Sequence, residues 1–417
     1  MPTSFLACAR LCVLPIVLCL PWTARSATAI LAPPEPPFRA PYLPAADTDA
    51  LQQVPGASDA KVREMRALRA RLDSAPHDQG RGMALAAAYI DFGRQVGDAH
   101  YAGYAEAVIA PWLTQNPPSV PALVTYATIL QYRHQFKEAR VQLQAALHRD
   151  PRNGQAWLTL ATLDMVQGDY PAASRGCAQV VADAGYEFGI ACAANLLSYV
   201  GKAQQSIAML KLIQGNAASV PASIKAWIEG LMAESSERLG DWPQAEAHYR
   251  KALSYTPQDN FLLVAYADFL LDRGRPAEVL PLLADHTQSD TAFLRLALAQ
   301  AALGSPDLPR YVWIMSARFE ALIQRGSDFF GREQVRFALH LQHDPQAALK
   351  LAQQNWNAQR EPWDTRVLLE AALAARQPEA AVPALTFLNH SKLQDPIVDA
   401  LSKKLREALA QTGGVAR

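Results

Sequence analysis

Hydrophobic and polar residues alternate with a helical period along most of the chain. From Asp59 onward, apolar side chains recur every three or four positions, and alanine, leucine, glutamine, glutamate and arginine dominate. These residues favour helix, and this spacing places the apolar side chains on one helix face. Runs of alternating β-branched residues, which would indicate strands, are absent from the sequence. The pattern predicts an all-α body over residues 59–411.

The N-terminal segment follows a different pattern. Arg10 precedes a short apolar run that ends at Leu20, and Ala27-Thr28-Ala29 supplies a small-x-small site. This order is typical of a secretory signal peptide, so residues 1–29 are predicted to be removed, with cleavage after Ala27 or Ala29. The run is shorter than the roughly 20 residues that span a bilayer, and no second one follows, so no membrane span is expected. Residues 30–58 carry seven prolines and predict an extended linker.

Small residues recur along the helical body with a spacing of 34 within groups. One set is Ala105, Ala139, Ala173, Ala245, Val279, Ala348 and Val382. A second set in the same phase is Gly93, Ala127, Ala161, Ala233, Ala267 and Ala297. Small side chains allow two helix backbones to approach where they cross, so each period predicts one pair of antiparallel helices. Glycines such as Gly168, Gly240 and Gly274 are predicted to form the turns between helices.

These positions resemble the tetratricopeptide repeat family over nearly the whole body. The resemblance is clearest from Val120 to Pro151 and from Gly240 to Pro257. Segments such as Tyr104-Ala105-Glu106 and Asn355-Trp356 also resemble a group of exported bacterial repeat proteins without an assigned function. The resemblance implies a tetratricopeptide-like α-solenoid, in which antiparallel helix pairs stack as a right-handed superhelix.

The repeat register gives the expected extent of this solenoid. About nine pairs are expected to stack, beginning near residues 86, 120, 154, 187, 226, 260, 290, 329 and 363. A leading helix at Ala60–Asp73 and a closing helix at Pro396–Gln411 would cap the ends, which leaves residues 412–417 as a flexible tail. The units at 187–225 and 290–328 depart from the pattern.

Charge and cysteine content narrow the function classes. Basic and acidic residues balance at 39 each, so the chain lacks the polycationic surface that favours nucleic acid. Three of the five cysteines lie in the predicted signal peptide, which leaves Cys177 and Cys192. An even pair in an exported protein predicts one disulfide, and the CxxC motif or histidine cluster of a redox or metal pair is absent.

The resemblance places any binding site on the concave face, at fixed positions of the first helices. These positions hold Arg94, Thr128, Gln131, Tyr132, Thr162, Glu234, Glu237, Arg238, Asp268 and Asp272. The middle of this set is acidic, which favours a partner segment with basic residues, with Tyr132 or Trp227 as an aromatic anchor. The alternative is that these polar side chains are only solvated. The family's clamp for a terminal carboxylate is not expected, since its Lys or Arg position holds Ile90, Val124 and Leu158.

Motifs for catalysis or cofactor binding are not found, so neither a cofactor nor a metal is predicted. His340 and His343 beside Asp344 could share a metal, but a third ligand is not evident in the sequence. Glu234 and Glu237 could act as an acid/base pair, although carboxylates at this spacing are usually solvated.

Two functions follow from this reading. The favoured one is a non-catalytic scaffold or adaptor of the bacterial cell envelope that binds protein partners, with the periplasm as its compartment. The alternative is an envelope enzyme or enzyme accessory that cradles a glycan or a similar polymer. Neither the partner nor the oligomeric state can be read from the sequence, because one repeat architecture serves unrelated partners.

Overall fold

The computed structural model describes residues 60–214, 220–324 and 331–414. The predicted signal peptide at 1–29 and linker at 30–58 lie outside the described residues. Within them all regular secondary structure is helical, as predicted. The helices are α1 (Ala60–Asp73), α2 (Gln79–Val96), α3 (His100–Leu113), α4 (Val120–Tyr132), α5 (Phe136–Arg149), α6 (Gly154–Val166), α7 (Tyr170–Asp183), α8 (Tyr186–Tyr199), α9 (Ala203–Gln214), α10 (Ala222–Arg238), α11 (Trp242–Tyr255), α12 (Asn260–Asp272), α13 (Pro276–Leu283), α14 (Asp290–Ala302), α15 (Leu308–Gln324), α16 (Arg332–His340), α17 (Pro345–Ala358), α18 (Pro362–Ala374), α19 (Val382–Ser391) and α20 (Pro396–Gly414).

Helices α2 to α19 follow one another as pairs, with α1 before them and α20 after them. The first pair begins at Gln79, seven residues before the expected position 86. The last helix continues to Gly414, so residues 412–414 of the expected tail are helical. None of the helices in the described ranges is long and apolar enough to cross a bilayer.

The small residues of the 34-residue period are buried where the helices of a pair cross. Ala127, Ala161 and Ala267 are 0% exposed. A Cβ added to Gly176 of α7 would lie 2.8 Å from the Cβ of Ala161 in α6, which is closer than real side chains approach. The crossing therefore requires small side chains on both helices.

The last pair departs from the expected register. Val382 was predicted at the small crossing position, but it is 44% exposed, and the neighbouring Ala381 is fully buried instead. A short 3₁₀ turn at Pro378–Ala381 precedes α19 and shifts the register by one residue.

Polar residues at the turns define the helix ends. Asp169 and Asp241 cap α7 and α11 by accepting hydrogen bonds from backbone N–H groups, and a proline occupies the first turn of each helix. Gly168 and Gly240, which precede these caps, have φ angles of +78° and +72°. Only glycine adopts that conformation without strain, which explains the glycines predicted at the turns.

Cys177 in α7 and Cys192 in α8 form the predicted disulfide, with their Cα atoms 5.5 Å apart. Both side chains are buried in a core cluster that also contains residues of α6 and α10. The bond therefore joins the second helix of one pair to the first helix of the next.

The stack curls back on itself, so that early and late pairs touch. The backbone N–H of Arg360 donates a hydrogen bond of 2.7 Å to the carbonyl of Val166. The rings of Tyr170 and Phe387 lie 5.7 Å apart. A Cβ on Gly97, just after α2, would lie 2.4 Å from Oγ of Ser289. The first helices of the later pairs therefore enclose a narrow interior.

Candidate functional site

Five of the ten predicted site residues line one cavity. Glu234, Glu237 and Arg238 come from α10, and Asp268 and Asp272 come from α12. The cavity has a volume of about 130 Å³ and is also lined by residues of α8, α14, α16, α18 and the start of α20. It follows α12 from Asn260 to Asp272, which corresponds to roughly 18 Å of helix. The acidic middle of the predicted site thus lines an elongated, partly open cavity.

Asp268 is at the centre of a buried ion-pair network. It accepts two hydrogen bonds from Arg295, of 3.0 and 2.7 Å, and one of 2.8 Å from Arg336. Arg295 also binds Glu333. Asp268 is 5% exposed, and burial opposes its charge, but the two guanidinium groups hold the pKa of its carboxyl well below the usual range. This residue is fully engaged inside the protein.

Asp272, at the end of α12, is paired in a similar way. Arg366 of α18 donates to both of its carboxylate oxygens, at 2.6 and 2.7 Å, and also to Glu370 at 2.7 Å. The Arg366 guanidinium lies 4.2 Å from the ring centre of Trp363. A bidentate pair stacked on an aromatic ring is well oriented, so it forms a rigid part of the cavity wall.

Arg238 and Glu234 form a looser pair one helical turn apart. Arg238 donates to Glu234 at 3.4 Å and to Oγ of Ser198 at 2.5 Å, and its guanidinium lies 5.0 Å from the ring centre of Tyr199. Burial raises the pKa of Glu234 in spite of Arg238. Tyr199 in turn donates to Glu361 at 3.4 Å, and burial raises the pKa of Glu361 to about 7.

Glu237 differs from its neighbours because it has no ion pair with any described residue. Its carboxylate accepts a hydrogen bond from the hydroxyl of Tyr249. Burial, aided by the nearby charges of Asp272, Glu234 and Asp395, raises the pKa of Glu237 to about 8 in spite of the Tyr249 hydrogen bond. Near neutral pH this carboxyl therefore retains a proton.

The predicted residues of the first half lie elsewhere. Thr128 and Thr162 are 3% and 2% exposed, and each hydroxyl donates to a carbonyl of its own helix, that of Val124 or Leu158. Gln131 is also buried. These three side chains are not presented to a ligand in this structure.

Arg94 and Tyr132 lie near the start of the stack. Burial raises the pKa of Tyr132, which is packed against the first pair. Arg94 lines a second cavity, of about 310 Å³, which lies between helices α1 and α2 on one side and the α10–α12 region on the other. Trp227 and Glu234 line the same cavity. The indole N–H of Trp227 has no hydrogen-bond partner among the residues described.

Residues 130–185 match the tetratricopeptide repeat family. This stretch of the chain contains tetratricopeptide repeat sequence. A stretch of 57 residues, which is 14% of this chain, is 42% identical to the general transcriptional corepressor ssn6 of Schizosaccharomyces pombe. The chain spans only 5% of the length of that relative.

Two solved structures are similar to this chain in structure but have low sequence identity. A tetratricopeptide repeat protein from Parabacteroides merdae is 14% identical, with 63% of this chain and 98% of that chain covered and a TM-score of 0.38. The APC/C hetero-tetramer Cut9-Hcn1 is 15% identical, with 84% and 70% covered and a TM-score of 0.48.

Several residues of the 130 Å³ cavity were not predicted from the sequence. These residues lie on or next to the first helices of the last three pairs, and they are Arg295, Arg332, Glu333, Glu361 and Arg366. Glu333 occupies a position equivalent to those used to select the predicted residues, two units beyond that of Asp268 and Asp272. The repeat register is lost in the irregular unit at 290–328, which contains Arg295 and precedes the other four residues.

The histidine cluster considered as a metal site is not assembled. Asp344 caps α17 by accepting from the backbone N–H of Ala347 at 2.9 Å, and His340 faces Glu370 at 3.7 Å. Within the described ranges, no group of three histidine, cysteine or carboxylate side chains is arranged to hold a metal ion.

Proposed function

We propose that this protein is a non-catalytic interaction scaffold or adaptor of the bacterial cell envelope. The observation that carries the proposal is the convergence of Arg94, Trp227 and Glu234 on the second cavity. Arg94 is far from the other two in sequence, and the curling of the stack brings them together. A half-buried tryptophan beside charged groups is the usual composition of a protein-binding anchor. Stacked repeats provide extended surfaces of this kind.

The proposed partner is a protein segment that places a side chain against Trp227. The cavity of about 310 Å³ is large enough for an anchoring side chain and is bordered by both an arginine and a glutamate. A partner with polar groups on each side of an apolar anchor would place one of them near each of these charged residues. The indole N–H supplies one further donor.

The compartment is part of the proposal and has separate support. The disulfide between Cys177 and Cys192 is the kind of bond that persists in oxidising compartments, and residues 1–29 have the sequence of a signal peptide. Cell fractionation with N-terminal sequencing tests it. We expect periplasmic protein that begins after Ala27 or Ala29, whereas an uncleaved cytoplasmic chain would contradict the proposal.

Site-specific photo-crosslinking tests the interaction. A photoreactive amino acid at Trp227 should capture a defined partner in the native envelope, and one at Val141, which is 60% exposed on α5, should not. Capture from Trp227 should decrease with Arg94→Glu and persist with Arg310→Glu on the exposed side of α15. The same proteins captured from both positions, or none from Trp227, would contradict the scaffold.

A second candidate function has one observation in its favour. The raised pKa of Glu237, about 8, is the property expected of a general acid, as an envelope enzyme acting on a glycan would need. Glu237→Gln and Glu234→Gln test this candidate. If purified protein releases products from envelope glycan and each variant abolishes the release while remaining folded, the enzyme reading is favoured; equal release rules these carboxylates out.

A further inference from the structure

The charges around the 130 Å³ cavity do not balance. Seven carboxyl side chains and four arginines line it. Arg336 adds a cation by binding Asp268, while Asp364 and Glu370 add two more carboxylates that share Arg332 and Arg366. The acids remain in excess after these neighbours are included. Buried charges without partners are costly, so the excess must be neutralised by protons or by a bound cation.

The excess is concentrated at Glu237. The neighbouring carboxylates of Asp272 and Glu234 are each bound by an arginine, and Asp395 accepts hydrogen bonds from two backbone N–H groups at the start of α20. Glu237 receives only the phenol hydrogen bond of Tyr249 and no ion pair within the described residues. It is half-buried and lines the cavity, so a ligand in the cavity can reach its carboxylate.

A second acceptor in the cavity wall also lacks a donor. Asn260 is 8% exposed, and its amide nitrogen donates to Oγ1 of Thr291 at 3.0 Å. The carbonyl Oδ1 of Asn260 accepts no hydrogen bond from the described residues. A buried acceptor left in this way is unfavourable, and a ligand that donates hydrogen bonds would satisfy it.

The remaining walls and the size of the cavity limit the ligand further. Trp242, Tyr249 and Phe261 contribute aromatic surface, which attracts cations. The volume of about 130 Å³ exceeds the roughly 10–15 Å³ that one water molecule needs and is below the roughly 300 Å³ at which pockets for drug-sized ligands begin. The space therefore suits one slender group and excludes a folded peptide.

We propose that this cavity binds a single alkylammonium or guanidinium group, with Glu237 as its principal carboxylate partner. The group belongs either to a small free amine or guanidine, or to a lysine or arginine side chain of a partner. The second source rests on the proposed scaffold function, and the first does not.

Calorimetry on the full mature protein tests the site with four small probes. Propylguanidine and butylamine should bind, while their neutral counterparts propylurea and butanol should not. At pH 9, where the Glu237 carboxyl is ionised, Glu237→Gln should weaken binding of the cations roughly tenfold or more, because a charged hydrogen bond is lost. The matched control is Glu320→Gln on the exposed face of α15, which should bind like the wild type.

The pH dependence adds a readout that a merely structural role would not change. Glu237 faces Tyr249, Asp272, Glu234 and Asp395, and its carboxyl is protonated below pH about 8. The cations stay charged up to pH about 10. Binding should therefore tighten as pH rises from 6 to 9 in the wild type and change less in Glu237→Gln.

Two peptides distinguish the sources. Acetyl-Gly-Arg-Gly-amide should bind more tightly than propylguanidine if the cavity accepts a partner's side chain, and acetyl-Gly-citrulline-Gly-amide should not bind. Binding of propylguanidine without the arginine peptide assigns the site to free small cations. Equal binding of propylguanidine and propylurea, or no binding of either cation by folded protein, would overturn the proposal. Crosslinking from Trp227 tests the scaffold and does not depend on this cavity. The scaffold proposal therefore stands if the cavity binds no cation, and the binding of free cations stands if no partner is captured.

Discussion

The first and second halves of the stack use the polar residues of their inner helices in different ways. In the first half, Thr128 and Thr162 return their hydrogen bonds to their own helices. In the second half, Asp268 binds Arg295 in the next pair and Arg336 in the pair after that. The buried hydroxyls of the first half bond within their own helices, whereas the buried carboxylates of the second half connect pairs.

This difference affects how the solenoid is held together. In most repeat proteins each unit contacts only its neighbours, and stability is a sum of local terms. The bond between Asp272 and Arg366 joins residues 94 positions apart and connects α12 to α18. The second half therefore has a shared polar core, and we expect it to unfold as one unit.

The largest expected effect comes from removing the centre of that polar core. Asp268→Ala leaves Arg336 without a carboxylate partner among the described residues and deprives Arg295 of one of its two. Breaking a buried ion pair typically costs about 3–5 kcal/mol. Urea unfolding followed by circular dichroism measures the loss.

Thr128→Val is the matched change in the first half. It removes a buried hydroxyl that bonds only to its own helix, so the expected loss is below about 1.5 kcal/mol. Similar losses for the two variants would show that the halves are held together in the same way and would remove the basis of the comparison.

The disulfide gives the next largest effect, and it is local to the first half. Cys177 and Cys192 are 15 residues apart, and closing such a loop stabilises a protein by about 3 kcal/mol on chain-entropy arguments. The double variant Cys177→Ala, Cys192→Ala should lose about this amount. Reductant should destabilise the wild type and leave the double variant unchanged. If reductant breaks the disulfide and the free energy of unfolding of the wild type does not change, the expectation is contradicted.

A further effect should appear in the pH dependence of the second half. The pKa of Glu237 is raised in the folded protein to about 8, above its ordinary value near 4.5. The stabilisation that comes from the protonated carboxyl is complete below pH about 4.5 and is lost as pH rises through 8. The urea midpoint of the wild type should therefore fall between pH 5 and 8, and that of Glu237→Gln should fall less. Parallel pH profiles would show that folding does not raise the pKa of Glu237.

The helical pairing was predictable from the sequence because it depends on local periodicity. The alanines at the crossing positions, the glycines of the turns and the cysteine pair each have a signal that is visible within one or two units. The misassigned Val382 shows the limit, since one residue inserted at a 3₁₀ turn changes which small residue is buried.

The cavity was only partly predictable. Five acidic and basic residues of α10 and α12 were found because they occupy the expected inner positions. Their ion-pair partners on α14, α16 and α18 were not, because pairing depends on how the stack curls rather than on the repeat itself. Sequence periodicity contains no information on that curvature, so the concave face was predicted but the cavity that these helices form was not.

The smallest effect tests whether the second half is a single unit. Asp169→Ala and Asp241→Ala remove equivalent helix caps in the two halves, and each should cost about 1 kcal/mol. Native-state hydrogen exchange should report different distributions of this loss. For Asp169→Ala the decrease in protection should be confined to α7 and the helices packed against it, because the described ion pair of α7 joins Asp183 only to the nearby Arg152. For Asp241→Ala it should extend from α10 to α18, since the ion pairs of the polar core transmit the loss. A decrease confined to α10 and α11 would contradict cooperative unfolding of the second half.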